Sequence, residues 1–417
     1  MARTNWAGNH RFLSGPPLLP ETVDDVRAVV KRGRKITALG TAHSFNGIAD
    51  GEQQVSLTRL DSIVLDPSSN SVAVGAGVTY DRLSQSLHRR GFALHNLASV
   101  PRLSVAGACA TGTHGSGDSN GNLSTAVSAL ELVTGEGEVV VLSRDTDEDR
   151  DAFQAAVIGL GGFGITTRIV LDVQPTFAMS QTVYEDLPVD ELERNLDHIF
   201  ASGYSVSLFL TWAGGTVDQA WVKRRVEQGQ PACVEPEFFG ARAAAQNLHP
   251  VPGQPAQNCT EQLGIPGPWH KRLPHFRMEY APSVGSELQS EYFVPRDRAY
   301  EAIAAIERVG DMLLPHLYVS ELRSIAPDEL WLSPCYKRDS VGIHFTWKPD
   351  WPSVRGLLPL LEEQLGPFGA RPHWGKLFSM SPSYIAHCYE RWDDWTRLRA
   401  SFDPDSKFVN EFLDLVS

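Results

Sequence analysis

The chain has 417 residues, 42% of them hydrophobic and 21% charged, with 50 acidic against 37 basic side chains and a formal net charge of −13. That length exceeds one ordinary domain, and two are expected. The acidic balance argues against nucleic acid or an anionic membrane as partner, and no run approaches the roughly 18 consecutive apolar residues of a membrane span. The N-terminal MARTNWAGNHRF lacks the apolar core of a signal peptide. Cys109, Cys233, Cys259, Cys335 and Cys388 are odd in number and widely spaced, with no CxxC, which suits a reducing cytoplasm rather than a disulfide framework or zinc site. The 13 histidines include no HExxH, and no metal is assigned. A small-molecule substrate and a monomer are the expectation.

Residues 20–33 are predicted as a helix, with Thr22 as cap, Asp25 in the first turn and Val23, Val26, Val29 and Val30 on one face. A strand over 35–40 ends at Gly40 and enters the loop LGTAHSFNG. His43 there is open to several readings: core filler, metal ligand, base or attachment point for a cofactor. QQVSLTRL (53–60) reads as a strand, and 62–78 as a hairpin turning at 67–70. A helix over 79–90 is capped by Thr79 and stopped by Gly91. A second hairpin over 128–143 turns at 135–137. DRDAFQAAVI then reads as a helix and ITTRIVLDV as a strand. Hairpins this frequent indicate an α+β fold rather than a doubly wound parallel sheet.

The middle of the chain changes character. VSLFLTW, QAWVKRR, LQSEYFV, LYVSELRSI and GIHFTW alternate as strands, with one helix expected over 297–313. Long Pro/Gly-rich loops separate them, above all 249–276, whose length implies ordering by packing or function. A short helix over 390–401 closes the pattern.

Three loops in the first 165 residues are built from small residues. Gly159-Leu160-Gly161-Gly162-Phe163-Gly164 matches GxGxxG, but a helix precedes it and a strand follows, the reverse of a dinucleotide-binding turn. SVPRLSVAGACATGTHGSG (99–117) offers almost no side chain to bury and suits close approach of backbone N–H groups to a ligand. LGTAHSFNG is the third. Together they indicate one large anionic cofactor wrapped by backbone, for which FAD is the right size and charge.

LGTAHSFN, SVPRLSVAGACATGTHGSG and GLGGFGIT, in that order, resemble the FAD-binding half of the vanillyl-alcohol-oxidase (PCMH-type) flavoprotein superfamily. NWAGN, CTEQLGIPGPWHKRLPHF, YVSELRSI, GIHFTW and RPHWGK resemble its alditol oxidase branch. The resemblance spans essentially the whole chain. It implies an FAD-binding domain over 1–175, a substrate-binding cap domain built on an antiparallel sheet over 176–370, and a segment over 371–417 returning to the FAD domain. It implies that His43 bonds covalently to FAD, with Ala42 where a glycine is commoner. Leu39, Gly40, Thr41, Ser44, Ala98, Ser99, Ser104, Gly107, Ala108, Thr111, Gly112, Thr113, His114, Gly115, Gly159, Gly161, Gly164 and Ile165 are the further cofactor contacts it implies. Cys109 is read as a small buried residue rather than a second attachment point.

The resemblance also implies the substrate site: Ser99, Glu321, Arg323, His344 and Lys376. Strand alternation supports part of this independently. Glu321 and Arg323 share one face, and His344 points away from Ile343, Phe345 and Trp347. The activity implied is oxidation of the terminal C1 hydroxyl of alditols such as xylitol or sorbitol to the aldose. Hydride passes to the flavin and O2 is reduced to H2O2. Glu321 and Ser99 would hold the O2 side of the polyol, Arg323 and Lys376 the O1 hydroxyl, and His344 would take its proton. Ala98 would lie beside the oxygen-reacting edge of the flavin. The alternative within the same superfamily is an aldonolactone oxidase or dehydrogenase.

Overall fold

Local sequence accounts for most elements of the first 175 residues. A computed structural model describes residues 3–227, 234–279 and 286–416; Cys233 lies outside them. Thr22 accepts from Asp25 N while the Asp25 carboxylate accepts from Thr22 N, a capping box that starts helix Val23–Arg32. Its Val26 and Val30 are fully buried. Asn70, at φ +49°, closes the turn between strands Ile63–Asp66 and Ser71–Gly75, and Gly137, at φ +76°, that between Val127–Val133 and Val139–Ser143. With Ile165–Asp172 these form a five-stranded antiparallel sheet in the order 63–66, 71–75, 165–172, 127–133, 139–143. Ile36–Leu39 pairs in parallel with Gln53–Ser56, so the strand expected over 53–60 stops early. Thr79 precedes helix Tyr80–Arg89 but donates its hydroxyl to the Asp81 carboxylate instead of capping backbone. GLGGFG joins helix Arg150–Val157 to strand Ile165–Asp172, the order expected.

The middle of the chain builds a ten-stranded sheet whose central order is Ala178–Pro188, Thr216–Val226, Ser205–Leu210, Leu317–Ile325, Ser340–Trp347, Leu288–Pro295. Its pairings are antiparallel, as expected for the substrate half. One face packs Leu208, Leu322, Ile343, Phe345 and Trp347 against helices Asp190–Ala201, Ala299–Glu307 and Trp351–Leu365. Strand Ala178–Pro188 and two of these helices carried no expectation. Trp351–Leu365 is masked by Pro352, Gly356 and Pro359. Yet Pro352 falls in the first turn, where its missing N–H costs nothing, and Pro359 is exposed, while Val354, Leu358, Leu361 and Leu365 make a buried stripe. The helix expected over 297–313 is interrupted after Glu307. A Cβ on Gly310 would meet Trp212 at 2.9 Å, so the chain bends to let Gly310 pack there.

The segment after Lys376 returns to the first sheet. Trp392, Trp395 and Leu413 join the core that includes Ala155 and Phe163, and Trp395 Nε1 donates to Ala155 O at 3.2 Å. The helix expected over 390–401 is Trp392–Phe402. Among the described residues no helix is long and apolar enough to cross a membrane.

Candidate active site

Both halves line one cleft, with about 2230 Å³ of space between atoms, its open mouth included. The first wall is made by the three small-residue loops. Leu39, Gly40, Thr41, Ala42, His43 and Ser44 line it, as do Ala98, Ser99, Ser104, Gly107, Ala108, Thr111, Thr113 and His114, and Gly159, Gly161 and Gly164. The loops touch so closely that a Cβ on Gly40 would come within 2.3 Å of Ser104 Oγ. Three expected contacts do not line the cleft. Gly112 packs beside Ile158 and Pro334, Gly115 against Asn96 and the Leu97 carbonyl, and Ile165 is core beneath helix Val23–Arg32. Cys109 lines the cleft from below, its thiol pushed up to about 11 by burial, which suits the reading of a small buried residue.

His43 stands on this wall with Trp6 stacked against it at 5.5 Å and 18°. Burial pushes the imidazole down to about 4, so it is neutral at neutral pH. Its Nδ1 lies 3.1 Å from Thr41 Oγ1, and no hydrogen bond among the described residues engages Nε2. Ala42 takes φ +57°, a left-handed conformation that costs an L-residue roughly 1 kcal/mol and accounts for glycine being commoner there. The strap around NWAGN holds this loop: Trp6 N donates to Ala42 O at 2.8 Å, Asn5 Nδ2 to Ser44 O at 2.9 Å and Asn9 Nδ2 to Phe45 O at 2.7 Å. The same loop grips the lysine loop across the cleft. Phe45 N donates to Gly375 O at 2.8 Å, and Asn46 Nδ2 to both Trp374 O and Lys376 O at 2.8 Å.

The second wall is the uncovered face of the large sheet. Register places Glu291, His344 and Glu321 opposite one another on three adjacent strands. All five expected substrate residues converge here. Arg323 Nη2 donates to Glu291 Oε1 at 2.7 Å, its Nη1 to Ser99 Oγ at 3.4 Å, and its Nε stands 3.5 Å from Glu321 Oε1. Lys376 Nζ donates to Glu291 Oε2 at 2.6 Å. Burial works against ionisation of Glu291, but Lys376 and Arg323 hold it well below the usual carboxylate range. Glu321 is likewise held low against burial by Arg323 and His275. Burial, with Lys376 beside it, pushes His344 well below its ordinary value. Its Nε2 is buried and has no hydrogen-bond partner among the described residues.

Several members of this wall went unmarked in the sequence. Glu291 alternates with Ser290 and Tyr292 in LQSEYFV, so the strand logic that marked Glu321 applied to it as well. His275 and Phe276, with Pro250 and Val251, bring the long 249–276 loop to the cleft, and Phe276 N donates to Ser99 O at 3.3 Å. His114, expected to contact cofactor, stands 3.2 Å from Glu291 Oε1 and belongs equally to this wall. With His373 these two bring three ligand-type atoms within 4.8 Å. Glu291 is already saturated by Arg323 and Lys376, and His373 Nδ1 accepts from Gly375 N at 3.0 Å. The charged hydrogen bonds here are those of Arg323 and Lys376 to Glu291, and these fixed cations disfavour a metal ion beside it.

Comparison with known proteins gives this arrangement its class. Residues 18–143 match the family described as FAD binding domain, and residues 284–416 that described as D-arabinono-1,4-lactone oxidase. The fold is that of cholesterol oxidase from B.sterolicum, with a TM-score of 0.76 over 100% of this chain and 96% of that one at 16% identity. The molecule is thus an FAD-binding flavoprotein of PCMH type. It is 44% identical to the alditol oxidase of a Streptomyces species over 99% of this chain and 98% of that one. It is 27% identical to the L-gulono-1,4-lactone dehydrogenase of Mycobacterium tuberculosis, over 98% and 97%. The chain belongs to the alditol oxidase family.

Proposed function

We propose that the protein oxidises the terminal C1 hydroxyl of an alditol, such as xylitol or sorbitol, to the aldose. The observation that carries this reading is His344 Nε2, buried and unpartnered at the centre of a charge-balanced cleft. Glu291 and Glu321 offset Arg323 and Lys376, so the wall has little net charge to offer an acid or a phosphate. What it offers is a dense set of fixed donors and acceptors, the requirement of a neutral polyol. Sites that hydrogen-bond a hydroxyl discriminate sharply against analogues lacking it.

In this reading Arg323 and Lys376 hold O1 and favour loss of its proton. His344, neutral and with Nε2 open, accepts that proton. Ser99 and Glu321 hold the neighbouring hydroxyl, which orients C1 toward the loop-lined wall. FAD, when bound along the loop-lined wall, would supply a two-electron acceptor for the C1 hydride, with O2 as the final oxidant and H2O2 as its product. The small side chain of Ala98 leaves room near that wall for O2.

His43 would carry the covalent bond to FAD. Its neutral imidazole, free Nε2 and Trp6 stacking support this, and the loops fit the group because they present backbone and hydroxyls with little side-chain bulk. We further read the protein as a cytoplasmic monomer; the free thiols of Cys109, Cys259, Cys335 and Cys388 support a reducing compartment. The test is a peroxide assay on a panel of alditols and aldonolactones. Peroxide from xylitol or sorbitol is expected. Turnover of a lactone alone would favour the lactone oxidase reading, to which the match over 284–416 lends its weight.

A further inference from the structure

Lys223 lies in strand Thr216–Val226 with no exposed surface and no carboxylate within ion-pair distance among the described residues. Its three donors are all engaged, to Leu273 O, to Pro274 O at 3.4 Å and to His275 Nδ1 at 3.1 Å. A histidine that accepts at Nδ1 carries its proton on Nε2. His275 Nε2 faces Glu321 Oε1 at 2.8 Å. Edge-on contacts with Phe209, Trp221 and Phe276 fix the plane of the ring, and the lysine fixes its tautomer.

We propose that Lys223 and His275 form a buried positioning relay that fixes the Glu321 carboxylate for the hydroxyls of the substrate. The proposal rests on the reading of Glu321 as a substrate-binding group. Without the third donor of Lys223, only the Glu321 carboxylate selects the Nε2–H tautomer, and the far side of the ring loses its anchor. In the other tautomer a lone pair faces the carboxylate at 2.8 Å, and Glu321 turns away.

The charged and titratable groups facing Lys223 are Glu321, Arg323, His275 and Cys259. Burial pushes the Cys259 thiol up to about 12 and His275 down to about 4, so both are neutral in the working range. Burial lowers Lys223 itself to about 7. The relay therefore holds below that pH and loosens above it, while Glu321 and Arg323 stay ionised.

The test measures kcat and KM for xylitol from about pH 6 to about pH 9 in the wild type, K223M, K223R, E321A and E321A/K223M, using flavin reduction without oxygen where turnover is slow. K223M should lower kcat/KM about tenfold, mainly through KM, with bound flavin unchanged, the order of one charge-assisted hydrogen bond. That loss should vanish in the E321A background. K223R should restore the donor and remove the alkaline fall. Separately, ¹⁵N NMR should show His275 as the Nε2–H tautomer in the wild type and a larger share of Nδ1–H in K223M. An equal loss in both backgrounds, or an Nδ1–H tautomer in the wild type, overturns the relay. A wild type inert toward polyols would overturn the substrate reading, while the NMR result still decides the relay. Should K223M fail to fold, K223R decides it: an alkaline fall like that of the wild type overturns the relay.

Discussion

Glu291 holds two cations and has no exposed side-chain surface. Replacing it by Ala strands Lys376 and leaves Arg323 with Glu321 alone, and breaking such a buried network costs roughly 3–5 kcal/mol, readable as a shift in the urea midpoint. Lys376→Ala and Arg323→Ala have the opposite signature. Each removes a donor proposed to hold O1, so kcat should fall by at least about a hundredfold while the protein stays yellow; near-normal kcat in either would remove that role. Alternation made Glu321, Arg323 and His344 legible in the sequence, because strand period alone says which side chains avoid the apolar face. Lys376 sits on a loop without period, and only its resemblance to a family motif marked it. Glu291 was readable by the same alternation, but its meaning lies in partners 32 and 85 residues away, a separation no local pattern encodes.

At the scale of elements, the loop that carries His43 is also the support of the lysine loop. Asn46→Ala removes the donor to Trp374 O and Lys376 O. It should lower kcat about tenfold with FAD still attached, because Lys376 loses its backbone restraint, not its charge. The expected three-loop wall largely formed because small residues on short loops have one evident use. The exceptions, Gly112, Gly115 and Ile165, adjoin the wall in sequence but serve packing. Helix Trp351–Leu365 carried no expectation because two prolines and a glycine interrupt its pattern, yet its buried stripe decides. Leu358→Ala, which empties the middle of that stripe, should cost about 2–5 kcal/mol of unfolding free energy without changing KM.

Across the whole molecule, the net charge of −13 says little about the cleft, where cations and carboxylates cancel. We propose the division into an FAD domain over 1–175, a cap over 176–370 and a returning segment over 371–417, supported by the two sheets and by Trp395 and Leu413 in the first core. The buried Lys223 also shapes stability. Its folded value of about 7 lies below an unfolded value of about 10.4, so the folded state binds fewer protons between them. Stability relative to K223M should therefore rise as pH increases from about 7 to about 10 and be flat below that, a trend measurable by thermal unfolding. His43→Ala should release flavin on acid precipitation, where the wild type keeps it with the protein pellet.

The proposed reaction oxidises a polyol at C1 with O2 as the final acceptor. The most direct measurement incubates the purified protein with xylitol in air and quantifies H2O2 and aldose together. Equal amounts of both are predicted. Absence of peroxide from every alditol tested, with turnover of an aldonolactone under the same conditions, would contradict it.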